Sequence, residues 1–305
     1  MTDSWRRKLE AGGILVVDGA TGTELRRRGV TPDDAAWSAP AALTHPDVLT
    51  SIHLDYIRAG AEVVTTNTFA ASRFVLDAAG LGHRFEELNR AAVSAAMRAR
   101  EIAAADVAIA GSISCLPPRF DVNAYPDATA ERAAYAELAA LLADLGVDLL
   151  ALEMMEDTEH APRACEAARD TGLPFWIGVS ARLDANGRLV AYDFPEIPLA
   201  AVLDALLVYA PDVVNVMHTP PDAVAPALAA LRARGCAVIG AYPELGGYAG
   251  RRVPAAEPLG PDRLAALAAE WIAAGARVIG GCCGTRPAHV RALREAVERR
   301  GRRQG

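Results

Sequence analysis

The stretch GGCCGTRP, residues 280–287, contains two adjacent cysteines, Cys282 and Cys283, in a chain that has only five. Thiolates of this kind bind soft metal ions, react as redox pairs or lie buried as inert side chains. A redox pair usually has the spacing C-x-x-C, and a bond between adjacent cysteines closes a strained ring. Successive strand residues point to opposite faces, so two neighbouring thiols reach one ion only where the backbone is irregular, which the flanking glycines permit. The pattern favours a metal site, with a disulfide and two inert thiols as alternatives.

Two carboxylates, Asp18 and Glu153, end the apolar runs ILVVD and LLALE. A carboxylate buried at such a point costs free energy unless a cation or a hydrogen-bond donor meets it. The ammonium group of a ligand would serve, and an internal arginine is the alternative. Other runs also end in polar residues: Thr65, Thr66, Asn67, Ser112, Ser114, Cys115, Ser180, Asn215, His218 and Glu244. Serine and threonine there can instead cap the following helix.

The elements that must position these residues are eight short apolar runs, at 14–18, 62–66, 107–112, 149–153, 175–180, 213–218, 237–242 and 277–281. Longer segments of helical period separate them. Continuous apolar strands are typical of parallel sheets that are covered on both faces. Eight β-α units predict a closed (β/α)8 barrel, whose chemistry lies at the carboxyl ends of the strands. An open Rossmann-like sheet is the alternative, but no G-x-G-x-x-G follows the first run.

The chain is predicted to be a single domain over residues 1–305, because no linker-like change of composition divides it. Helices are predicted at 46–60, 84–104, 128–146 and 260–276, most of them ending near a glycine. The segments 116–127 and 243–260 are predicted to be functional loops. The basic end, about 297–305, is predicted to be a flexible tail.

Composition limits the partners. The net charge of -7 and the pI near 5.5 argue against a surface built for nucleic acid or an anionic membrane. No stretch approaches the roughly 20 apolar residues that a membrane span needs. An odd number of cysteines, mostly scattered, does not make a disulfide framework. We therefore expect a cytoplasmic protein that acts on small molecules, and its oligomeric state is not indicated.

Four motifs in the same order resemble those of the zinc-dependent homocysteine S-methyltransferase family. They are DGATGTELRRRG (18–29), YIRAGAEVVTTNTFAAS (56–72), LLALEMMED (149–157) and GGCCGTRP (280–287). The resemblance runs nearly from end to end. It implies a (β/α)8 barrel that holds Zn²⁺ with three cysteines and binds the acceptor thiol as the fourth ligand.

The resemblance also assigns residues. Cys282 and Cys283 match two of the zinc cysteines. Asp18 and Glu153 match the carboxylates that hold the amino group of homocysteine, and Glu153 is counted with the two cysteines as catalytic. The acceptor carboxylate is expected at the backbone of Ala20, Thr21, Gly22 and Thr23, with Asn67, Asn215 and Glu244 as further substrate contacts.

One position departs from the family pattern. The first zinc cysteine belongs to a G-x-N-C motif, and here DVVNVMHTPP keeps Asn215 but has Val216 in place of the cysteine. His218 follows two positions later, on the same face of a regular strand. Two cysteines and one histidine form a known catalytic zinc set, so we expect Cys282, Cys283 and His218 as ligands. The alternative is a His218 that contacts substrate or makes a structural hydrogen bond.

A second departure is Glu244, which stands where many family members have asparagine. It could favour a cationic donor, or it could indicate an acceptor other than homocysteine.

Taken with the resemblance, the sequence predicts methyl transfer from a sulfonium or ammonium donor to homocysteine, which yields methionine. The first donor expected is S-methylmethionine. The alternatives are a different thiol or selenol substrate, and a zinc-free barrel that only binds a small amino acid.

Overall fold

The computed structural model describes residues 3–245 and 259–304. Most of the predicted loop at 243–260 lies outside the described residues. Within them the strands are β1 Leu15–Val16, β2 Val63–Thr65, β3 Ala108–Ser114, β4 Leu149–Met155, β5 Phe175–Val179, β6 Ala181–Leu183, β7 Leu189–Ala191, β8 Val213–Met217, β9 Ile239–Tyr242 and β10 Ala276–Ile279. Each of the eight predicted apolar runs contains one strand of the main sheet, apart from small differences at the ends.

The described α-helices alternate with these strands. They are α1 Ser4–Glu10, α2 Thr21–Arg27, α3 Ala41–Thr44, α4 Pro46–Ala59, α5 Arg73–Ala78, α6 Phe85–Ala103, α7 Ala128–Asp144, α8 His160–Asp170, α9 Leu199–Leu206, α10 Pro221–Ala233, α11 Pro261–Ala273 and α12 Pro287–Gln304. Gly60 ends α4 in the left-handed conformation, with a φ of 108° that suits glycine. No helix in the described part of the chain is long and apolar enough to span a membrane.

The eight-stranded parallel sheet closes on itself. Its order is β1-β10-β9-β8-β5-β4-β3-β2. The two end strands meet through a parallel bridge between Val17 and Val63. The Glu62 amide donates to the Val16 carbonyl at 2.7 Å, and the Asp18 amide donates to the Val63 carbonyl at 3.0 Å. The predicted (β/α)8 barrel is therefore confirmed, and the open-sheet alternative is wrong.

Two apolar layers hold the barrel. A large cluster packs the outer face of the strands against the helices, and a smaller one fills the interior. The amino-terminal end of the interior is closed by α1, whose Trp5 packs edge-on against Trp176 at 5.4 Å between ring centroids. Because this end is filled, ligands must enter from the carboxyl ends of the strands.

Two features add detail to the sequence-based expectation. An antiparallel hairpin, β6 paired with β7, follows β5 and was not predicted. Within the segment 297–305, which is predicted to be a flexible tail, α12 continues to Gln304. Ion pairs one turn apart, Arg294 with Glu298 and Arg299 with Glu295, support this last helix.

Candidate active site and metal centre

A cavity of about 640 Å³ opens at the carboxyl ends of the barrel strands. Most of the predicted site residues line it: Asp18, Ala20, Thr21, Gly22, Thr23, Asn67, Glu153, His218, Cys282 and Cys283. Asn215 and Glu244 are not on its described wall, and both are buried. The fold therefore brings ten of the twelve predicted residues to one cavity.

The two cysteines and His218 lie together at this cavity. The Sγ atoms of Cys282 and Cys283 are 4.0 Å apart, and His218 Nδ1 lies 3.6 Å from Cys282 Sγ. One ligand atom from each residue lies within 4.8 Å of the others. The backbone holds this arrangement, since the Cys282 amide donates to the Pro243 carbonyl at 2.8 Å. Gly284 turns the chain with a φ of 82°, as the glycine pattern suggested.

The backbone conformation that brings His218 to the cysteines differs from the predicted regular strand. Val216 is fully buried in the outer layer against the helices, whereas Met217 and His218 line the cavity. The expectation that Val216 and His218 share one face is wrong, because His218 has a φ of 44°. This left-handed conformation is uncommon for residues other than glycine and ends the strand alternation at His218.

The surroundings of His218 are acidic. Burial lowers the pKa of His218, but the Cys282 thiol and the nearby Glu244 and Glu156 outweigh burial and raise it to about 9. The hydrogen bond with Cys283, followed by burial, raises the pKa of Cys282 well above its usual value. Such a thiol stays protonated unless a cation binds it, and a metal ion competes with protons for all three ligand atoms.

Asp18 and Glu153 are two buried carboxylates at the same end of the barrel. The Thr65 amide donates to Asp18 Oδ2 at 2.8 Å, and Ser112 Oγ donates to Glu153 Oε2 at 2.5 Å. Burial raises the pKa of Asp18 to about 8 and that of Glu153 to about 7. No ion pair with Arg or Lys reaches either one within the described residues, so the internal-arginine alternative receives no support there. A cationic group of a ligand would give both carboxylates the partner that the described residues do not supply.

A bulge gives the cavity a second side chain beside Glu153. Met154 has a φ of 54°, and the pairing of β4 with β5 shifts between Leu152 and Met155. Glu153 and Met154 therefore both face the cavity, although strand neighbours normally point to opposite faces. The Met154 amide donates to Met217 Sδ at 3.2 Å, which joins this bulge to β8.

Asn67 and Asn215, the two asparagines predicted to contact substrate, differ in their surroundings. Asn67 exchanges hydrogen bonds with Ser38, through Ser38 Oγ at 2.7 Å and the Ser38 carbonyl at 2.8 Å. These bonds fix the segment that carries Trp37, against which Gly22 packs too closely for any side chain. Asn215 is fully buried, and its amide atoms have no protein partner in the described chain. Asn67 lies at the cavity, and Asn215 lies in the barrel interior, on the same side of β8 as Val213 and Met217.

Three site residues were not singled out from the sequence. The ring of Tyr192 packs edge-on against His218, Glu156 is buried at the cavity wall, and Tyr56 bonds the backbone beneath it. Tyr192 follows the unpredicted hairpin, and Tyr56 lies within a helix. Tyr56 and Glu156 lie within the motifs at 56–72 and 149–157, and Glu156 also follows the carboxyl end of an apolar strand.

The cavity wall is rich in carboxyl groups. No Lys or Arg lines its described part. Eight carboxylates do: Asp18, Asp33, Asp34, Asp121, Glu153, Glu156, Asp157 and Asp193. Aromatic rings stand among them, including Trp37, Phe120, Tyr125 and Tyr192. A cavity of this composition attracts cations both by charge and by the faces of its rings.

Comparisons with known proteins agree with this geometry. A family model described as homocysteine S-methyltransferase matches residues 15–297. The chain is 30% identical to homocysteine S-methyltransferase 4 of Zea mays, over 94% of this chain and 90% of the relative. It is 26% identical to a selenocysteine Se-methyltransferase of Brassica oleracea var. italica, over 94% and 90%. The crystal structure of the metallated form of the homocysteine methyltransferase MmuM from Escherichia coli has a TM-score of 0.75 and 26% identity, covering 95% of this chain and 98% of that chain.

The family model spans nearly the whole barrel, and it includes both strand-end carboxylates and the paired cysteines. The MmuM structure is that of a metallated form, and this chain places two thiols and an imidazole together at the carboxyl ends of its barrel strands. On these observations, the chain belongs to the homocysteine S-methyltransferase family.

Proposed function

We propose that this protein transfers a methyl group from a cationic donor to the thiol of homocysteine, using zinc held by Cys282, Cys283 and His218. The observation that carries the proposal is the convergence of these three side chains in a cavity that also presents Asp18 and Glu153. A metal-ligand set and an ammonium-binding pair in one cavity suit a small amino acid that carries a thiol.

The donor set fits zinc. Tetrahedral coordination with ordinary zinc bond lengths places two sulfur ligands about 3.8 Å apart and a sulfur and a nitrogen about 3.6 Å apart. The observed separations are 4.0 Å between the two Sγ atoms and 3.6 Å between Cys282 Sγ and His218 Nδ1. Three protein ligands leave one position for a substrate, which is the arrangement of a catalytic zinc site.

When bound, zinc would supply an acidifying effect, lowering the pKa of the acceptor thiol so that a thiolate is present at neutral pH. The chain's own residues hold the acceptor in place. Asp18 and Glu153 bind its ammonium group, and this cation offsets the free-energy cost of burying the two carboxylates. The backbone from Ala20 to Thr23 accommodates its carboxylate. With both ends of the molecule held, its sulfur stands in a single orientation.

The carboxyl groups of the wall ionise beside a cation, so they favour a sulfonium or ammonium donor over an anionic one such as a folate. The thiolate forms a bond to the methyl carbon while the donor's bond to that carbon breaks, and the electron pair stays on the donor. The donor leaves without its positive charge, so its attraction to Glu156 and the other carboxylates falls after transfer. S-methylmethionine remains the first donor to test.

A selenol acceptor is a second candidate. It is favoured by the similarity to a selenocysteine Se-methyltransferase and by the replacement of a cysteine ligand by His218. An imidazole gives the site one negative charge less than a third thiolate would. A less anionic site suits an acceptor that ionises readily, as a selenol does.

The reducing conditions that the paired thiols need agree with a cytoplasmic location, which we also propose.

The first test is the zinc content of the parent and of His218→Ala and Cys283→Ser, purified under reducing conditions. We expect about one zinc per chain in the parent and a loss in both variants, with loss of transfer to homocysteine. Cys236→Ser, also at a half-buried cysteine, is the matched control and should keep its metal. His218→Cys should retain zinc as well. A parent that binds a small amino acid but takes up no zinc would favour the binding-only barrel.

A further inference from the structure

Tyr56 connects the two segments that the proposed function assigns to the two ends of the acceptor. It lies on α4 with an exposure of 0%. Its hydroxyl donates towards the Ala20 carbonyl at 3.1 Å and the Thr285 carbonyl at 3.0 Å. Ala20 begins the segment expected at the acceptor carboxylate, and Thr285 follows the cysteine pair by two residues. One phenol is therefore shared between the two segments.

The packing around Tyr56 leaves little freedom. A Cβ added at Gly19 would stand 2.9 Å from the Tyr56 ring and 2.6 Å from Thr285. A second bond joins the same segments, from the Gly284 amide to Thr23 Oγ1 at 3.3 Å. Burial raises the pKa of Tyr56 well above its usual value, so the hydroxyl keeps its proton and remains a donor.

We propose that Tyr56 is a positioning residue, whose hydroxyl sets the separation between the acceptor-carboxylate segment and the metal-ligand segment. The inference rests on the proposed function, which supplies the roles of the two segments. An acceptor as short as homocysteine has only a few rotatable bonds between its carboxylate and its sulfur. It can occupy both places only while their separation is held, and small misplacements are costly in such reactions.

The test compares Tyr56→Phe with Tyr135→Phe. Both remove a hydroxyl from a fully buried tyrosine, and the Tyr135 hydroxyl interacts with the Cys115 thiol rather than with either of the two segments. We expect Tyr56→Phe to raise the KM for homocysteine about five- to tenfold, as the loss of one buried hydrogen bond allows. Zinc content and the KM for the donor should stay unchanged. For 3-aminopropanethiol, which lacks the carboxylate, the variant and the parent should have the same KM.

Three results would overturn the proposal. The first is an equal rise of KM in Tyr135→Phe, and the second is a rise that persists with 3-aminopropanethiol. The third comes from amide hydrogen exchange of the zinc-loaded chain. Segments 19–24 and 281–286 should both exchange faster in Tyr56→Phe than in Tyr135→Phe, and equal exchange in the two variants would overturn the proposal. If the parent transfers no methyl group, the proposed function fails, and unchanged exchange in these two segments still refutes the positioning role.

Discussion

The ring of Tyr192 packs edge-on against the imidazole of His218, with centroids 4.8 Å apart and planes at 61°. This contact stands beside the one strained backbone position among the proposed ligands, since His218 has a φ of 44°. Such a conformation persists only where the surroundings support it. Tyr192 follows the β6–β7 hairpin, so the segment that enters the barrel after this hairpin packs against a proposed metal ligand on a neighbouring strand.

We predict that Tyr192→Ala weakens zinc binding by about two- to tenfold, the factor that corresponds to the interaction free energy of an aromatic pair. Tyr192→Phe keeps the ring and should bind zinc as the parent does. A competition titration with a chromogenic chelator measures the difference. Phe194→Ala, which alters the same cavity wall, is the control. Equal affinity in the parent and Tyr192→Ala would show that His218 holds its place without the ring.

Removing the charge of Glu156 tests whether the methyl donor is a cation. This glutamate is buried at the cavity wall, and its Oε2 accepts a hydrogen bond from the Asp193 amide at 2.8 Å. Burial raises the pKa of Glu156 to about 8, so this carboxyl ionises when a cationic donor binds beside it. Glu156→Gln removes that charge and keeps an acceptor for the amide. We expect the KM for a sulfonium donor to rise about tenfold, because the positive sulfur loses its electrostatic attraction to the carboxylate and about 1.4 kcal/mol corresponds to a factor of ten. The KM for homocysteine should not change.

The control for this variant is Glu86→Gln, at an exposed glutamate on α6 paired with Arg90. Steady-state kinetics with each substrate varied in turn separates the two KM values. An increase confined to homocysteine would place Glu156 with the acceptor and contradict the assignment.

Asp18→Asn should impair acceptor binding. Asparagine can still pair with Thr65, which bonds both oxygens of the present carboxylate. The lost group is the charge that faces the acceptor ammonium, so we expect the KM for homocysteine to rise about ten- to a hundredfold. With 4-mercaptobutanoate, which has no amino group, the parent and the variant should perform alike. A large difference with that thiol would mean that Asp18 serves another purpose.

The raised pKa values of Asp18 (about 8) and Glu153 (about 7) predict a pH-dependent stability in the ligand-free protein. Their ordinary values are 3.8 and 4.5, so the folded state binds the extra protons between these limits. This contribution to the free energy of unfolding is complete below about pH 4 and is lost as the pH rises through 7 and 8, at up to about 1.4 kcal/mol per pH unit for each group.

Urea unfolding of the ligand-free chain at pH 5 and pH 8 measures this loss. Asp18→Asn should show a smaller loss than the parent, and saturating homocysteine should flatten the dependence in the parent by pairing both carboxylates with its ammonium. If Asp18→Asn loses as much stability as the parent, Asp18 is not the group that titrates.

The barrel could be predicted from the sequence because its signal is repeated. Eight apolar runs, separated by helical segments, each contribute one strand, and closure needs only that the first and last strands meet, as Val17 and Val63 do. Asp18, Glu153 and the cysteine pair were recognised for a related reason. Each stands at the carboxyl end of a run, and in a parallel barrel all such ends share one rim.

The residues that the sequence did not place depend on single dihedral angles and distant contacts. Val216 and His218 share a face on an ideal strand, yet one left-handed residue sends them to opposite sides of the sheet. The same applies to Met154, which a bulge turns towards the cavity.

By itself, then, the sequence determined the fold, the end of the barrel that carries the chemistry and the residue types available there. Periodicity and strand order carry that information locally, through side-chain alternation and apolar burial. Only the tertiary structure decided that His218 meets the cysteines, that Tyr192 packs against it, that Asn215 is not part of the cavity wall and that Tyr56 bonds to two loops. These outcomes depend on backbone irregularities and on packing between residues far apart in the chain, which no local pattern encodes.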